Sequence, residues 1–457
     1  MINLSLAKLA NIFSVELNPS DQAKSFLGVS TDTRTIQPGS LFIALEGEKY
    51  DGHLFIETAK EKGAVAVLVN RRLDCDLPQI VVADTVQAFG ILAHYWRKQF
   101  DLPVVGLTGS VGKTTLKNMI ASILRAACGN EVDAVLATEG NLNNHIGVPI
   151  MLCRLNASHR YAVIEMGMNH FGEISYLTKM VCPSVAIITN AAPAHLQGVS
   201  DLAGVARAKG EIFLGLVQNG AAILNREDQY YSYWKELIGQ RLCLSFGFQP
   251  PADVHAVIHE ASDVLKQPIT IVTPCDRIEV MLPLLGQHNV MNALAATAAC
   301  TALHIEPQAI KMGLEDVQPA NGRLKMHAMS RDIRLIDDTY NANPASVQAA
   351  VKVLARFAGN KILILGDMAE MGDNAITLHA KMGETIRQLG IDQLYTHGDL
   401  AEEMSKSFGE NAYHFKDTQY LVDAVKKHVQ PNSTVLVKGA RYMKMERVVA
   451  ALKEVLQ

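Results

Sequence analysis

Residues 102–127, LPVVGLTGSVGKTTLKNMIASILRAA, carry the reading that decides the fold. The run PVVGL has the β-branched, continuously apolar character of a buried strand. It breaks at the glycine-bearing turn Thr108-Gly109-Ser110-Val111-Gly112, and from Lys113 the apolar residues recur at helical spacing. Strand, glycine-rich turn and helix in that order build a phosphate loop. Gly109 and Gly112 let backbone N–H groups curl around phosphate oxygens, and the new helix points its positive end at them. Lys113 can reach the β- and γ-phosphates of a nucleotide, Thr114 can ligate Mg²⁺, and Thr115 closes the motif. One position departs from the general pattern, which has a Gly five positions before Gly112; Leu107 stands there.

Outward from this loop the chain divides into three blocks. Up to about residue 82, short β-like pieces (SLFIAL, AVAVLV, QIVVA) surround turn-rich stretches, and Ala83 to Phe100 reads as a helix leading out. From Leu102 to about residue 315, apolar strands PVVGL, YAVIEM, SVAIITN and GAAILN alternate with helical patterns and end in the Ala-rich stretch VMNALAATAACTALHI. From 316 to 457 the alternation repeats with IRLIDD, KILILGDM, QLYTHG and STVLVKGA. Continuous apolar strands separated by helices imply parallel sheets covered on both faces. The expectation is an α/β protein of three domains, 1–82, 83–315 and 316–457. The central one is a parallel-sheet phosphate-loop domain and the last a Rossmann-like one.

Composition narrows the functions. Across 457 residues the chain is 49% hydrophobic and 19% charged, with a formal net charge of −4. It has no polybasic run, which argues against a nucleic-acid partner. The seven cysteines form no CxxC pair, so buried thiols in a reducing compartment are expected rather than disulfides or a zinc ribbon. No apolar run approaches the roughly 20 residues of a membrane span. At the start of the chain, Leu6, Leu9, Ala10 and Phe13 fit an amphipathic helix rather than a targeting segment. A cytoplasmic protein without membrane insertion is expected.

Three residues of the central block point at the phosphate loop. Glu165 ends the strand YAVIEM, His195 follows SVAIITN, and Lys209 lies in the helical stretch VARAKGEIF. Ligands of open parallel sheets bind at the carboxyl ends of the strands, which would bring Glu165 and His195 to the loop's edge. Taken singly, each has a plainer reading: a solvated Glu, a hydrogen-bonded structural His, a surface Lys.

The loop T-G-S-x-G-K-T-T without its leading Gly resembles that of the Mur ligase family. EMGMNH, the downstream Pro-Ala-His and AKGEIF are similar to the family's series in order and spacing. The resemblance implies ATP bound by Thr108 to Thr115, and Mg²⁺ held by Thr114, Glu165, His195 and a carbamoylated Lys209. Lys113, Lys209, His195 and Arg323 would be the catalytic set. Gly286-Gln287-His288-Asn289-Val290-Met291-Asn292 matches G-x-H-N-x-x-N, which implies that Asn289 and Asn292 contact adenine, although Asn289 could equally cap the following helix. Arg323 resembles the family's interdomain Arg near the ATP phosphates, and Asp338 the Asp that meets ATP in the closed form.

Within the family, DDTYNANP at 337–344, LGDMAEMG at 365–372 and TEGNLNN at 138–144 resemble the branch that adds D-alanyl-D-alanine to a UDP-linked muramoyl tripeptide. That implies substrate contacts from Asn141, Asn143, Asn144, Tyr340, Asn341 and Asn343. Ser30-Thr31-Asp32-Thr33-Arg34 resembles the loop in the domain that holds the UDP end, with Ser30, Thr31, Asp32 and Arg34 as contacts; by itself it reads as a capped turn with a surface Arg. The reading is an ADP-forming amide ligase of peptidoglycan precursor synthesis, monomeric, with small-molecule substrates and an acyl-phosphate intermediate. The alternatives are a family member or folylpolyglutamate synthetase relative that adds one amino acid, or a phosphate-loop switch ATPase. A hinge is expected at 312–322, MGLEDVQPANG.

Overall fold

The computed structural model describes residues 1–457 except 48–49, 193–195, 261–264, 370, 372–373 and 457. His195, with Glu370 and Gly372 of the LGDMAEMG stretch, therefore lies outside the described residues. The chain forms two six-stranded sheets, a four-stranded sheet near its start, and two smaller antiparallel sheets.

The central sheet is all parallel. In spatial order its strands are Leu242–Phe246, Ala221–Asn225, Val185–Ile188, Val104–Thr108, Tyr161–Glu165 and Val135–Ala137. Strand Val104–Thr108 is where the topology switches: the chain first winds to one side of it, then returns to the other. Crevices open at such points beyond the carboxyl ends of the strands. Register aligns those ends, with Leu107 opposite Glu165 and Thr108 opposite Ile188.

Alternation along each strand divides the packing between two cores. Val104, Ala162, Ile164, Ala186 and Ile188 face one, with helices 6–13, 85–97, 147–153 and 173–181. Val105, Leu107, Val163, Val185 and Ile187 face the other, with helices Lys113–Ala127 and Gln287–Ala302. The Ala-rich composition of the second helix lets it lie close against its neighbours; Ala293, Ala295, Ala296, Ala298 and Ala299 are all buried. Helix Thr85–Arg97 belongs to the central core, and Arg97 pins it there through the carbonyls of Val181, Phe100 and Leu102.

The first sheet is parallel, Val29–Ser30, Leu41–Ile43, Ala66–Val69 and Gln79–Val81 in order, with a small core around Phe42, Ile56 and Val67. The C-terminal sheet runs Lys325–Ala328, Arg334–Asp338, Thr434–Lys438, Lys361–Gly366, Gln393–His397 and Ala412–Phe415; its first strand is antiparallel and the rest are parallel. Among the features outside the sequence reading are the antiparallel sheet His255–Ile258, Gln267–Val272 and Arg277–Leu282, the strands Val135–Ala137, Leu242–Phe246, Lys325–Ala328 and Ala412–Phe415 of the two large sheets, and the pairing of Asn3–Ser5 with Ser25–Leu27. No described helix is long and apolar enough to cross a membrane.

Candidate active site

The phosphate loop takes the shape its glycines allow. Gly109 and Gly112 have φ of 151° and 90°, and a Cβ on Gly112 would lie 2.6 Å from Asn292 Oδ1. Helix Lys113–Ala127 starts without a side-chain cap, so its first N–H groups face the cleft. The neighbouring strand stiffens the loop: Val111 N–H donates to Asn190 Oδ1 at 3.0 Å, Thr189 Oγ1 donates to the Val111 carbonyl at 2.8 Å, and Ser110 Oγ to that of Ala192 at 2.9 Å. Lys113 Nζ lies 2.6 Å from the Gly109 carbonyl, over the loop's concave side.

Beside the loop, Glu165 is buried at the end of its strand. Its Oε2 accepts from Thr114 Oγ1 at 3.0 Å and its Oε1 from Asn143 Nδ2 at 2.9 Å. Carboxylate, hydroxyl and amide thus meet at one point under the loop. Lys209 is also fully buried. Loss of solvent first, and the nearby Lys113 ammonium second, hold its amine well below the ordinary lysine range. Glu211 is not its partner: that carboxylate accepts from the N–H groups of Gly172 and Ser175 at the start of helix 173–181.

The C-terminal sheet closes the other side. Arg323 Nη2 lies 3.3 Å from Thr114 Oγ1, and its guanidinium stacks on Tyr340 at 4.3 Å. Asp338 is buried and paired with Lys438 Nζ at 2.7 Å. Burial pushes the Asp338 carboxyl up, against the pull of Lys438. Together these groups line a cleft of about 450 Å³ that holds Ser110 to Thr115, Asn143, Glu165, Asn289, Asn292, Arg323, Asp338, Tyr340, Asn341 and Asn343.

Residues 107–300 match the Mur ligase middle domain, 322–441 the Mur ligase glutamate ligase domain, and 26–96 the Mur ligase family catalytic domain. The UDP-N-acetylmuramoyl-tripeptide–D-alanyl-D-alanine ligase of Escherichia coli is 43% identical over 464 aligned residues, with 99% of each chain covered. The chain belongs to the Mur ligase family. Among solved structures, the crystal structure of MurF from Acinetobacter baumannii superposes with a TM-score of 0.91 at 35% identity, covering 99% of both chains. A Mur ligase, MurF of Thermotoga maritima, was solved in complex with ADP; it gives 0.82 at 25% identity, with 94% of this chain and 97% of that one covered.

Not every position singled out in this Mur ligase's sequence opens directly onto the cleft. Thr108 and Gly109 sit beneath the loop, Thr108 fully buried. Asn289 and Asn292 are buried in the first two turns of their helix, at the cleft; Asn289 Nδ2 donates to the Leu285 carbonyl at 2.8 Å and Asn292 Nδ2 to Asn289 Oδ1 at 3.4 Å. Asn141 is exposed, and Asn144 Oδ1 accepts the Gly147 N–H at 2.8 Å, just before helix Gly147–Cys153. The Ser30–Arg34 loop lies outside the cleft. Its Arg34 is exposed and bound to Asp32 at 2.6 Å, and Ser30 Oγ accepts from Asp32 N–H at 3.2 Å. Thr31 belongs to the same turn.

The sequence reading passed over Lys438, Asn190 and Lys117. Lys438 and Asn190 line the cleft, and Lys117 is buried one turn behind Lys113 with its Nζ on the Thr138 carbonyl at 2.6 Å. Burial lowers its amine. The one signal for Lys438 and Asn190 was their place just after an apolar strand.

Proposed function

We propose that this Mur ligase joins D-alanyl-D-alanine to the terminal carboxylate of a UDP-N-acetylmuramoyl-tripeptide at the expense of ATP, releasing ADP and phosphate. One observation carries the reading. The phosphate loop of the central sheet and the Arg323–Tyr340–Asp338 group of the C-terminal sheet share one cleft, with Arg323 in contact with Thr114. A nucleotide bound there would touch both sheets, and full-length similarity to ligases of this specificity supplies the substrates.

The tripeptide carboxylate oxygen attacks the γ-phosphorus of ATP and ADP leaves. The dipeptide amine then attacks the acyl carbon, phosphate departs and the amine loses a proton. A carboxylate is a poor electrophile, and phosphorylation gives it a leaving group. The chain's part is positioning and charge. Loop N–H groups and Lys113 hold the β- and γ-phosphates, and Arg323 spreads charge over the transferring group. Asn289 and Asn292 offer amide donors and acceptors to adenine. Tyr340, Asn341 and Asn343 line the side from which the dipeptide would arrive, and the two sheets exclude water from the acyl phosphate. Asn141, Asn143 and Asn144 would meet the peptide arm. Ser30, Thr31, Asp32 and Arg34 would hold the UDP end in a first domain at 1–82, beside domains at 83–315 and 316–457.

The donor set fits Mg²⁺, because Glu165 and Thr114 present hard oxygens at one point beside the phosphate loop. His195 would join them. A bound Mg²⁺ would neutralise phosphate charge during transfer. Lys209 can contribute as well. Its amine, held well below the ordinary lysine range by burial, would add to CO₂ through nitrogen and lose a proton, giving an anionic carbamate with two oxygen donors. We place the enzyme in the cytoplasm, as a monomer.

Phosphate release tests the reading. It should be nearly silent with ATP alone and rapid with UDP-muramoyl-tripeptide plus D-alanyl-D-alanine. Equal or faster release with single amino acids would move the enzyme to another branch of the family.

A further inference from the structure

Lys438 ends the middle strand of the C-terminal sheet with its side chain buried against the cleft. Every acceptor its ammonium reaches belongs to a cleft-lining residue. These are Asp338 Oδ2 at 2.7 Å, the Asn341 carbonyl at 2.8 Å and, more weakly, the Asp338 carbonyl at 3.5 Å. The second oxygen of Asp338 accepts the Leu324 N–H at 3.2 Å. Leu324 directly follows Arg323, the residue that reaches Thr114 and stacks on Tyr340. The Tyr340 N–H in turn donates to the Gly322 carbonyl at 3.0 Å. Two routes of direct contact therefore run from one ammonium to the guanidinium, through Asp338 and Leu324 and through the Asn341 loop and Tyr340.

We propose that Lys438 is a positioning residue of the ligase reaction. It fixes the Asp338 carboxylate and the 339–341 loop, and through them the place of Arg323 against the phosphate loop. A buried carboxylate stripped of its counter-ion takes up a proton or turns toward water, and either change releases the Leu324 backbone. The ammonium is also felt across the cleft: burial, with Lys438 second, brings His288 at the start of helix 287–302 down to about 4. The inference rests on reading the cleft as a ligase's ATP site.

The test is a double-mutant cycle on the full chain, with K438M, K438R, D338N and K438M/D338N assayed by ATP-dependent phosphate release. K438M should lower kcat by about 100-fold, the scale of a small displacement at a reacting group, while KM for the UDP-linked tripeptide stays near wild type. K438R keeps the charge but not the reach, and should recover part of the loss. In the D338N background, K438M should cost less than in the wild type, because the Asp338 route is already cut and only the Asn341 route remains. A folded K438M with wild-type kcat overturns the proposal, as does the same fold-loss from K438M with and without Asp338. If K438M does not fold, K438R carries the cycle, and a loss undiminished in D338N overturns it. A wild-type chain that refuses D-alanyl-D-alanine overturns the substrate reading instead, and the cycle is then run with the amino acid it accepts.

Discussion

Lys209, on a helix of the central domain, and Lys438, on a strand of the C-terminal sheet, are both buried, and their surroundings give them opposite chemistry. Lys209 comes from the helix that follows the central sheet's strand Val185–Ile188, and its charged neighbour is another lysine, Lys113. Lys438 comes from the end of a C-terminal strand and meets the Asp338 carboxylate at 2.7 Å. The first environment favours a neutral amine, which is a nucleophile toward CO₂; the second favours an ammonium locked in an ion pair. A lysine's role in a closed site is set less by its depth than by the sign of what it is buried with.

The largest expected effect removes the charge that bears on Lys209. Lys113→Ala should lower turnover by roughly 10³-fold or more, as the loss of a preorganised charge on a transferring phosphoryl group does, while the fold persists. Near-normal turnover by a folded variant would falsify the phosphate-loop assignment.

Lys209→Ala should follow with a loss of about 100-fold or more, as when a metal's surroundings are disturbed, and formate or acetate should restore part of it by replacing a carbamate oxygen. Rescue by amines instead of acids would make Lys209 a cation and erase its contrast with Lys438.

Stability separates the two lysines by sign. Lys438→Met strands Asp338 and should cost about 3–5 kcal/mol in denaturant unfolding. Lys209→Met should stabilise. The folded pKa of Lys209 is lowered, so between the folded and unfolded values the unfolded chain binds a proton that the folded one lacks, and folding is penalised there and, by a constant amount, below both. That penalty shrinks as pH rises toward about 10.4, so the gain from Lys209→Met should be larger near neutrality than near pH 10. Equal losses from both variants, measured in CO₂-free buffer, would refute the distinction.

A smaller effect concerns the sheets as bodies. If residues 312–322 hinge, scattering with ATP and both substrates should show a radius of gyration reduced by a few per cent, on the scale of domain closure. An unchanged radius under proven saturation would rule the hinge out. Smallest of all, Arg34→Ala should leave stability essentially unchanged, because Arg34 and Asp32 form an exposed pair. Its effect should fall on KM for the UDP-linked substrate, and an unchanged KM would remove the loop from the site.

Much of this was legible in the chain itself. Local chemistry determined the phosphate loop, since Gly109, Gly112 and Lys113 owe their roles to backbone freedom and charge within a few residues of one another. Period and composition gave the inner strands of both large sheets and the Ala-rich helix, because those strands carry a continuous apolar stretch. Glu165 could be placed because strand ends of a parallel sheet share an edge. The antiparallel sheet at 255–282 escaped notice: its outer strands alternate or are exposed, and no phosphate-binding turn marks them.

Tertiary structure alone decided the rest. The sequence makes Lys209 an ordinary helical lysine two residues from a Glu; only packing turned Glu211 away to cap another helix and left the amine beside Lys113. Asp338 and Lys438 are 100 residues apart along the chain, and register between parallel strands brings them face to face. Arg323 meets Thr114 across 209 residues because the C-terminal part of the chain packs against the phosphate-loop helix. Partners so distant in sequence leave no local pattern, because what joins them is the pairing of strands and the closure of one sheet on another.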